Sequence, residues 1–370
     1  MLQKKYFAAA LGLLSCILTN AQTASVPAEN NDPAPAAEEK KEPVLSITGS
    51  VDAYYKLDFA KTTANSLTSF TQTHNSFSLG MASIKFEHKG EKVSAVADLG
   101  FGPRARDFAY TDNGITQAVK QLYVSYSPAE WLKLSMGTWG THIGYELLDP
   151  QLNRNYSMSY MFTNGPFSHT GIKAEMTEGK HSLMLGLANA TDYRIPPGGL
   201  INKKFLLAQY SYAASDNVKI FLNYAGGQSP DTAKTSQFDA VVTAKLSDKF
   251  NIGFNGTVNS TKFWDGSKNG EAQSWGGAAL YFNLDPKPWY GLTLRTEYFS
   301  DKNQLKPFAF SATGGSLFAT TLSASFKTGG FIFIPEIRLD NADKNVLFVD
   351  KNGAGSKSAT SFLIAAIYSF

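Results

Sequence analysis

The chain has 370 residues, of which 18% are charged and 13% aromatic, with 31 glycines and one cysteine, Cys16. A lone cysteine excludes an intramolecular disulfide framework. A formal charge of only +3 excludes the dense basic surface that phosphate-backbone binding needs, so nucleic acid is not an expected partner.

The amino terminus reads as an export signal. Lys4 and Lys5 precede an apolar stretch from Tyr6 to Leu18, and Thr19-Asn20-Ala21 offers a small-x-small cleavage site. The stretch is too short for a transmembrane helix. Residues 1–21 are therefore expected to be a signal peptide. Cleavage would remove Cys16, Lys4 and Lys5 and leave a formal charge of about +1. Leu13-Leu14-Ser15-Cys16 loosely resembles a lipoprotein cleavage box, which leaves lipidation at Cys16 open. Residues 22–43 are rich in Ala, Pro, Glu, Asn and Lys without an apolar period, and are expected to be a disordered periplasmic linker.

From residue 45 the period changes to two. No later stretch of about 18 apolar residues exists, so a membrane form of residues 44–370 would have to be a closed β-barrel. SVDAYYKLDF places Asp52 and Lys56 on one face. SIKFEHK and SAVADLG do the same for Lys85, Glu87 and Asp98. WLKLSMG and GIKAEMTEG contribute Lys133, Lys173 and Glu175. In NVKIFLNY, Val218, Ile220, Leu222 and Tyr224 oppose Lys219 and Asn223. In QFDAVVTAKL, Phe238, Ala240 and Val242 oppose Asp239, Thr243 and Lys245. KFNIGFNGTVNS sets Phe250, Ile252, Phe254 and Val258 against Asn251, Asn255 and Asn259. YGLTLRTEYF puts Arg295 and Glu297 opposite Leu292, Leu294 and Tyr298. FIFIPEIRLD puts Glu336, Arg338 and Asp340 opposite Phe331, Phe333, Ile337 and Leu339. If the apolar faces meet lipid, these charges line a lumen. Arginine at Ile252 should then be costly, and arginine at Asn255 tolerated.

Connections alternate in length. Short turns are expected at 90–92, 128–130, 178–180, 215–217, 247–249, 285–287 and 328–330. Longer segments fall near 60–75, 105–116, 143–166, 193–203, 229–236, 265–271, 303–315 and 345–357. Sixteen strands follow, with both termini on the short-turn side. Aromatics crowd the strand ends at Tyr54, Tyr55, Tyr123, Tyr126, Trp131, Tyr210, Tyr212, Trp289, Tyr290 and Tyr298, where interfacial girdles would place them. The last strand, SFLIAAIYSF, carries Phe362, Ile364, Ala366, Tyr368 and Phe370 on one face. It resembles the closing strand of bacterial outer-membrane barrels, in which the terminal Phe is read by the insertion machinery. Phe370 is thus the expected assembly signal.

Segments 46–59, 78–105 and 131–174 resemble the OmpL-like β-barrel porin family of Bacteroidetes-type bacteria. The most specific part is Gly144-Tyr145-Glu146 to Asn155-Tyr156, followed by Thr163-Asn164-Gly165-Pro166. The resemblance implies an all-β, outer-membrane, transmembrane antiparallel barrel acting as a porin, with no assigned ligand.

Chemistry-bearing motifs are sparse. No pair among His74, His88, His142, His169 and His181 stands at metal-ligand spacing, and no spacing singles out a nucleophile. Gly100-Phe101-Gly102 lacks a following helical pattern and reads as strand glycines. No metal or other cofactor is expected. The 143–166 connection is too long for an idle loop. By analogy with general porins its Tyr145, Glu146, Asp149, Arg154 and Asn155 are expected to form a constriction, with the charges setting the narrowest point. The function expected is passive diffusion of small hydrophilic solutes through a water-filled lumen, with outer-membrane lipid and the barrel-insertion machinery as partners and homo-oligomerisation left open. The alternatives are a lipid-acting barrel enzyme, or a structural or adhesive barrel with a plugged lumen.

Overall fold

The computed structural model describes residues 43–109, 111–196, 203–229 and 232–370. The expected signal peptide, and the linker up to residue 42, lie outside the described residues. Sixteen strands close into one antiparallel barrel. The first half comprises β1 (Val44–Asp58), β2 (Ser76–Lys89), β3 (Val93–Phe101), β4 (Val119–Ala129), β5 (Leu132–Gly140), β6 (Ser168–Glu178), β7 (His181–Ala188) and β8 (Phe205–Ser215). It continues with β9 (Val218–Gln228), β10 (Lys234–Lys245), β11 (Phe250–Lys262), β12 (Gln273–Lys287), β13 (Tyr290–Asp301), β14 (Gly315–Thr328) and β15 (Phe331–Ala342). A small ladder of β16 (Phe348–Val349) and β17 (Gly355–Ser356) stands in the last long loop, and β18 (Ser358–Ser369) is the sixteenth wall strand. Two short helices, α1 (Pro103–Phe108) and α2 (Tyr160–Asn164), lie in the second and third long loops.

Closure is made by β1 on β18, paired from Ser50–Ser369 to Asp58–Ser361. It removes the free edges, so wall peptide groups find partners in the neighbouring strand. Gly49 and Phe370 exchange two backbone hydrogen bonds of 3.0 Å. The Phe370 ring occupies the space that a Cβ on residue 49 would need.

The alternation sets the faces. On β11, Asn255 is 3% exposed and Val258 50%. Leu222 and Phe238 are exposed on the outer surface, while Asn223 and Asp239 beside them are buried. The interior is packed at mid-height, because long loops fold into it. One apolar cluster joins Tyr160 and Met161 to Trp275, Tyr281, Phe299 and Phe308, and another joins Phe70, Phe108, Met158 and Phe167 from three loops.

Several sequence expectations need correction. Pro128 and Asp285-Pro286-Lys287 do not turn the chain: β4 runs to Ala129 and β12 to Lys287, and each ladder shifts register beside its proline. A proline lacks the N–H that regular pairing needs, so it bends the strand end instead. The segment expected as a loop at 229–236 is shorter, since β10 begins at Lys234. Tyr54 and Tyr123 are not girdle residues. Tyr54 packs on Tyr156 inside the barrel, and Tyr123 shares the inward parity of buried Ser125.

Candidate functional site

The third long connection, from Thr141 to Phe167, crosses the lumen. Its base is closed by the Thr141 amide donating to the Phe167 carbonyl at 2.9 Å. A non-helical backbone inside a barrel leaves amides without ladder partners, and each must find an acceptor. Carboxylates on the facing wall supply them. Glu297 of β13 accepts from the amides of Tyr160 and Met161, both at 2.8 Å. These open α2, whose first turn is capped by the Ser159 hydroxyl accepting from the Phe162 amide. Glu336 of β15 accepts from the amides of Tyr156 and Ser157 at 2.8 and 3.2 Å. Asp239 of β10 accepts from the Gly144 amide at 3.0 Å and from Asn223 and Asn255.

Cations complete the clamp. Arg295, fully buried, pairs with Glu146 and donates to the Ser157 carbonyl at 2.7 Å and to Thr321 at 3.0 Å. Glu146 also accepts from the Ser159 amide at 2.8 Å. Arg338 forks onto Asp340 at 2.9 and 3.0 Å and donates to the Met158 carbonyl at 2.7 Å. The Tyr160 hydroxyl donates to Asp340, and that of Tyr156 to Asp52. Arg104, in the first turn of α1, lies over the rings of Phe70 and Tyr156 at 4.8 and 4.7 Å and donates to the Leu148 carbonyl. Lys56 reaches down from β1 to the Thr71 carbonyl and Ser66, tying the first long loop to the same interior.

The expected constriction residues therefore lie in the lumen but serve as fasteners. Tyr145 stacks on Tyr281 with ring centroids 4.0 Å apart. Asn155 donates to Ser323 at 2.7 Å. Asp149 pairs with Lys120, which also meets Asp98 at 3.0 Å. Arg154 meets Asp285 with two bonds of 2.8 and 2.7 Å. Glu146, Asp149 and Arg154, expected to set the narrowest point, each have a wall partner. The wall charges expected to line the pore include Asp52, Lys56, Asp98, Arg295, Glu297, Glu336, Arg338 and Asp340. They point inward, yet are buried beneath loops. Lys85, Glu87, Lys133, Lys173, Glu175, Lys219 and Lys245 also point inward, but lie nearer the turns and keep contact with solvent. Asn255, where arginine was expected to be tolerated, is buried and donates to Asp239 and the Ala240 carbonyl.

Strict alternation misses two participants, Lys120 and Arg104. Lys120 enters the lumen through a register shift between Asp98 and Leu99 in the β3–β4 ladder. An extra residue of this kind re-aims a side chain. Asp52 sits at the β1–β2 shift between Val51 and Ala53, and its carboxylate fills the space where Gly80 would carry a Cβ. Arg104 is buried in a segment with no period to read. His142 and His169 lie together, ring centroids 5.2 Å apart, inside the barrel at the loop base. His142 donates through Nε2 to the Tyr224 carbonyl at 3.0 Å, which requires that Nε2 carry the proton. Burial pushes the His142 pKa down to about 4. Among the described residues, no three His, Cys, Asp or Glu side chains stand together as a metal site.

The family described as "Putative beta-barrel porin-2, OmpL-like" matches residues 44–370. No curated protein matches the chain. Among solved structures, the chain is similar to the anion-selective porin from Comamonas acidovorans at 10% identity and a TM-score of 0.62, over 89% of this chain and 100% of that one. It is similar to the trimer form of OmpT from Vibrio cholerae at 10% identity and a TM-score of 0.61, over 89% and 100%. It is also similar to the outer membrane channel DcaP of Acinetobacter baumannii at 12% identity and a TM-score of 0.59, over 90% and 100%. At such identities the likeness shows a shared fold.

Proposed function

From the premise that the chain belongs to the OmpL-like β-barrel porin family of the outer membrane, we propose that it lets small hydrophilic solutes diffuse passively across that membrane. The observation that carries this reading is the third loop seated across the lumen and clamped by Glu297, Glu336 and Arg295. A fixed inward loop narrows a wide barrel into a size filter. Its rigidity follows from its bonds, because displacing the loop would break buried ion pairs and amide–carboxylate hydrogen bonds together. Stepwise conductance of the purified protein in planar bilayers, with sugars of rising size excluded in order, is the expected result. Absence of any current would overturn the reading.

The dense packing beneath the loops favours a second reading, a structural barrel with a plugged lumen, and the same recording separates the two. A lipid-acting enzyme would release fatty acid from phospholipid vesicles, which the channel reading does not expect. Residues 1–21 are proposed to be removed on export, and residues 22–43 to act as a periplasmic spacer. Phe370 is proposed as the signal for the insertion machinery. Assembly into a homo-oligomer is proposed from the trimer form of the V. cholerae relative. Cross-linking in native membranes tests it, and a ladder that stops at the monomer would count against it.

A further inference from the structure

The inward surface changes character along the barrel axis. At mid-height the charges are buried and engaged: Arg295 pairs with Glu146, Arg338 with Asp340, and Lys120 with both Asp98 and Asp149, while Glu297, Glu336 and Asp239 accept from loop amides. Toward the short turns the match fails. On β2, Glu87 is shared by Lys85 and Lys89, each at 3.0 Å. Across β5 and β6, Glu175 is shared by Lys173 at 3.2 Å and Lys133 at 3.8 Å. Each carboxylate thus leaves one positive charge over. Lys219 of β9 has the inward parity of buried Asn223, and Lys327 of β14 that of buried Ser323. Both are exposed, and the acid that Lys327 reaches is Asp285 of β12. Lys245 of β10 meets only Asp248, which lies in the turn and is almost wholly exposed. On β12, Asp285 is already engaged by Arg154.

Resting on the channel reading above, we propose that the turn-side mouth of the lumen is a lysine-rich ring that makes the pore select small anions, inorganic or carboxylate, over cations. The physical basis is a ring of one dominant sign around a confined path. The lysines stand on β2, β5, β6, β9, β10 and β14, so the excess surrounds the opening instead of marking one side of it. Low-dielectric walls concentrate such a field within the mouth. The buried charges at mid-height are engaged by one another and by loop amides beneath the loops, away from the mouth.

The test is a reversal-potential measurement on the purified full-length barrel in a potassium chloride gradient. The expected sign is that of chloride carrying more current than potassium, with the preference weakening between 0.1 M and 1 M salt, as screening shortens from about 10 Å to about 3 Å. The triple variant Lys133→Glu, Lys219→Glu and Lys327→Glu changes only solvent-contacting side chains. It should abolish or reverse the preference while keeping the heat-modifiable gel migration of a folded barrel. The matching triple Arg variant should keep the preference. Current without anion preference in the parent, or an unchanged preference in the Glu variant, would overturn this inference and leave the channel reading standing. No current from the folded parent would overturn both.

Discussion

Glu297 shows how much a single wall residue does here. Its two oxygens take the amides of Tyr160 and Met161. Glu297→Gln keeps the shape but turns an NH2 toward one of those donors. An unsatisfied buried donor costs about 1–3 kcal/mol, so hydrogen exchange at Tyr160 and Met161 should speed by about tenfold or more. Exchange rates equal to the parent's would show that the clamp does not depend on the carboxylate. His142 gives a pH dependence at the loop base. Its folded pKa, about 4, lies below the unfolded value near 6.5. Between those values the unseated state binds the extra proton, so stability falls as pH drops from about 6.5 to 4 and levels off below. The facing groups are His169, Lys173, and the carbonyls of Tyr224 and Ala208. Thermal unfolding in detergent should show this slope, and a His142→Gln variant should flatten it; an equal slope in both would remove His142 from the account.

At the scale of elements, strand facing and loop seating make separate predictions. Leu280 stands mid-strand on the outer face of β12, paired with Phe254 and Thr296. Leu280→Arg should destabilise by about 2–4 kcal/mol, as for a lipid-facing cation at the midplane. Asn251, inward and near a turn, should accept arginine with little loss, and refolding titrations into lipid would rank the two. Equal costs would mean that the register is displaced. Ile252, also near the turn, is a weaker probe of the midplane. Replacing residues 145–162 with a short Gly-Ser linker should raise single-channel conductance and relax size exclusion, because those residues span the lumen without joining the wall ladder. Unchanged conductance would place the conduction path elsewhere. The strands themselves were legible in the alternation of residues such as Phe250 to Asn259, since lipid on one side and a polar interior on the other impose a period of two. The ends were less so: Pro128 and Pro286 read as turns, yet bend the ladder without reversing it.

At the scale of the molecule, closure depends on the last residue meeting the first strand. Phe370 pairs with Gly49 and lays its ring over it. Deleting Phe370 should slow assembly in vivo, and Gly49→Val should do the same by evicting the ring. Pulse-labelled protein reaching the heat-modifiable form at the parent's rate would contradict this.

Alone, the sequence determined the barrel. Lipid and water on opposite sides of a wall repeat along the chain, so strand number, facing and the order of short and long connections are local patterns. The long third loop was visible for the same reason, as an interruption of the period. Only the tertiary structure decided what the inward charges do. Whether Glu336 or Lys133 meets water depends on which loop lies over it, and the loop comes from far along the chain. Lys120 and Arg104 were hidden for a related reason: a register shift and an aperiodic segment aim them inward, where partners brought together by closure hold them.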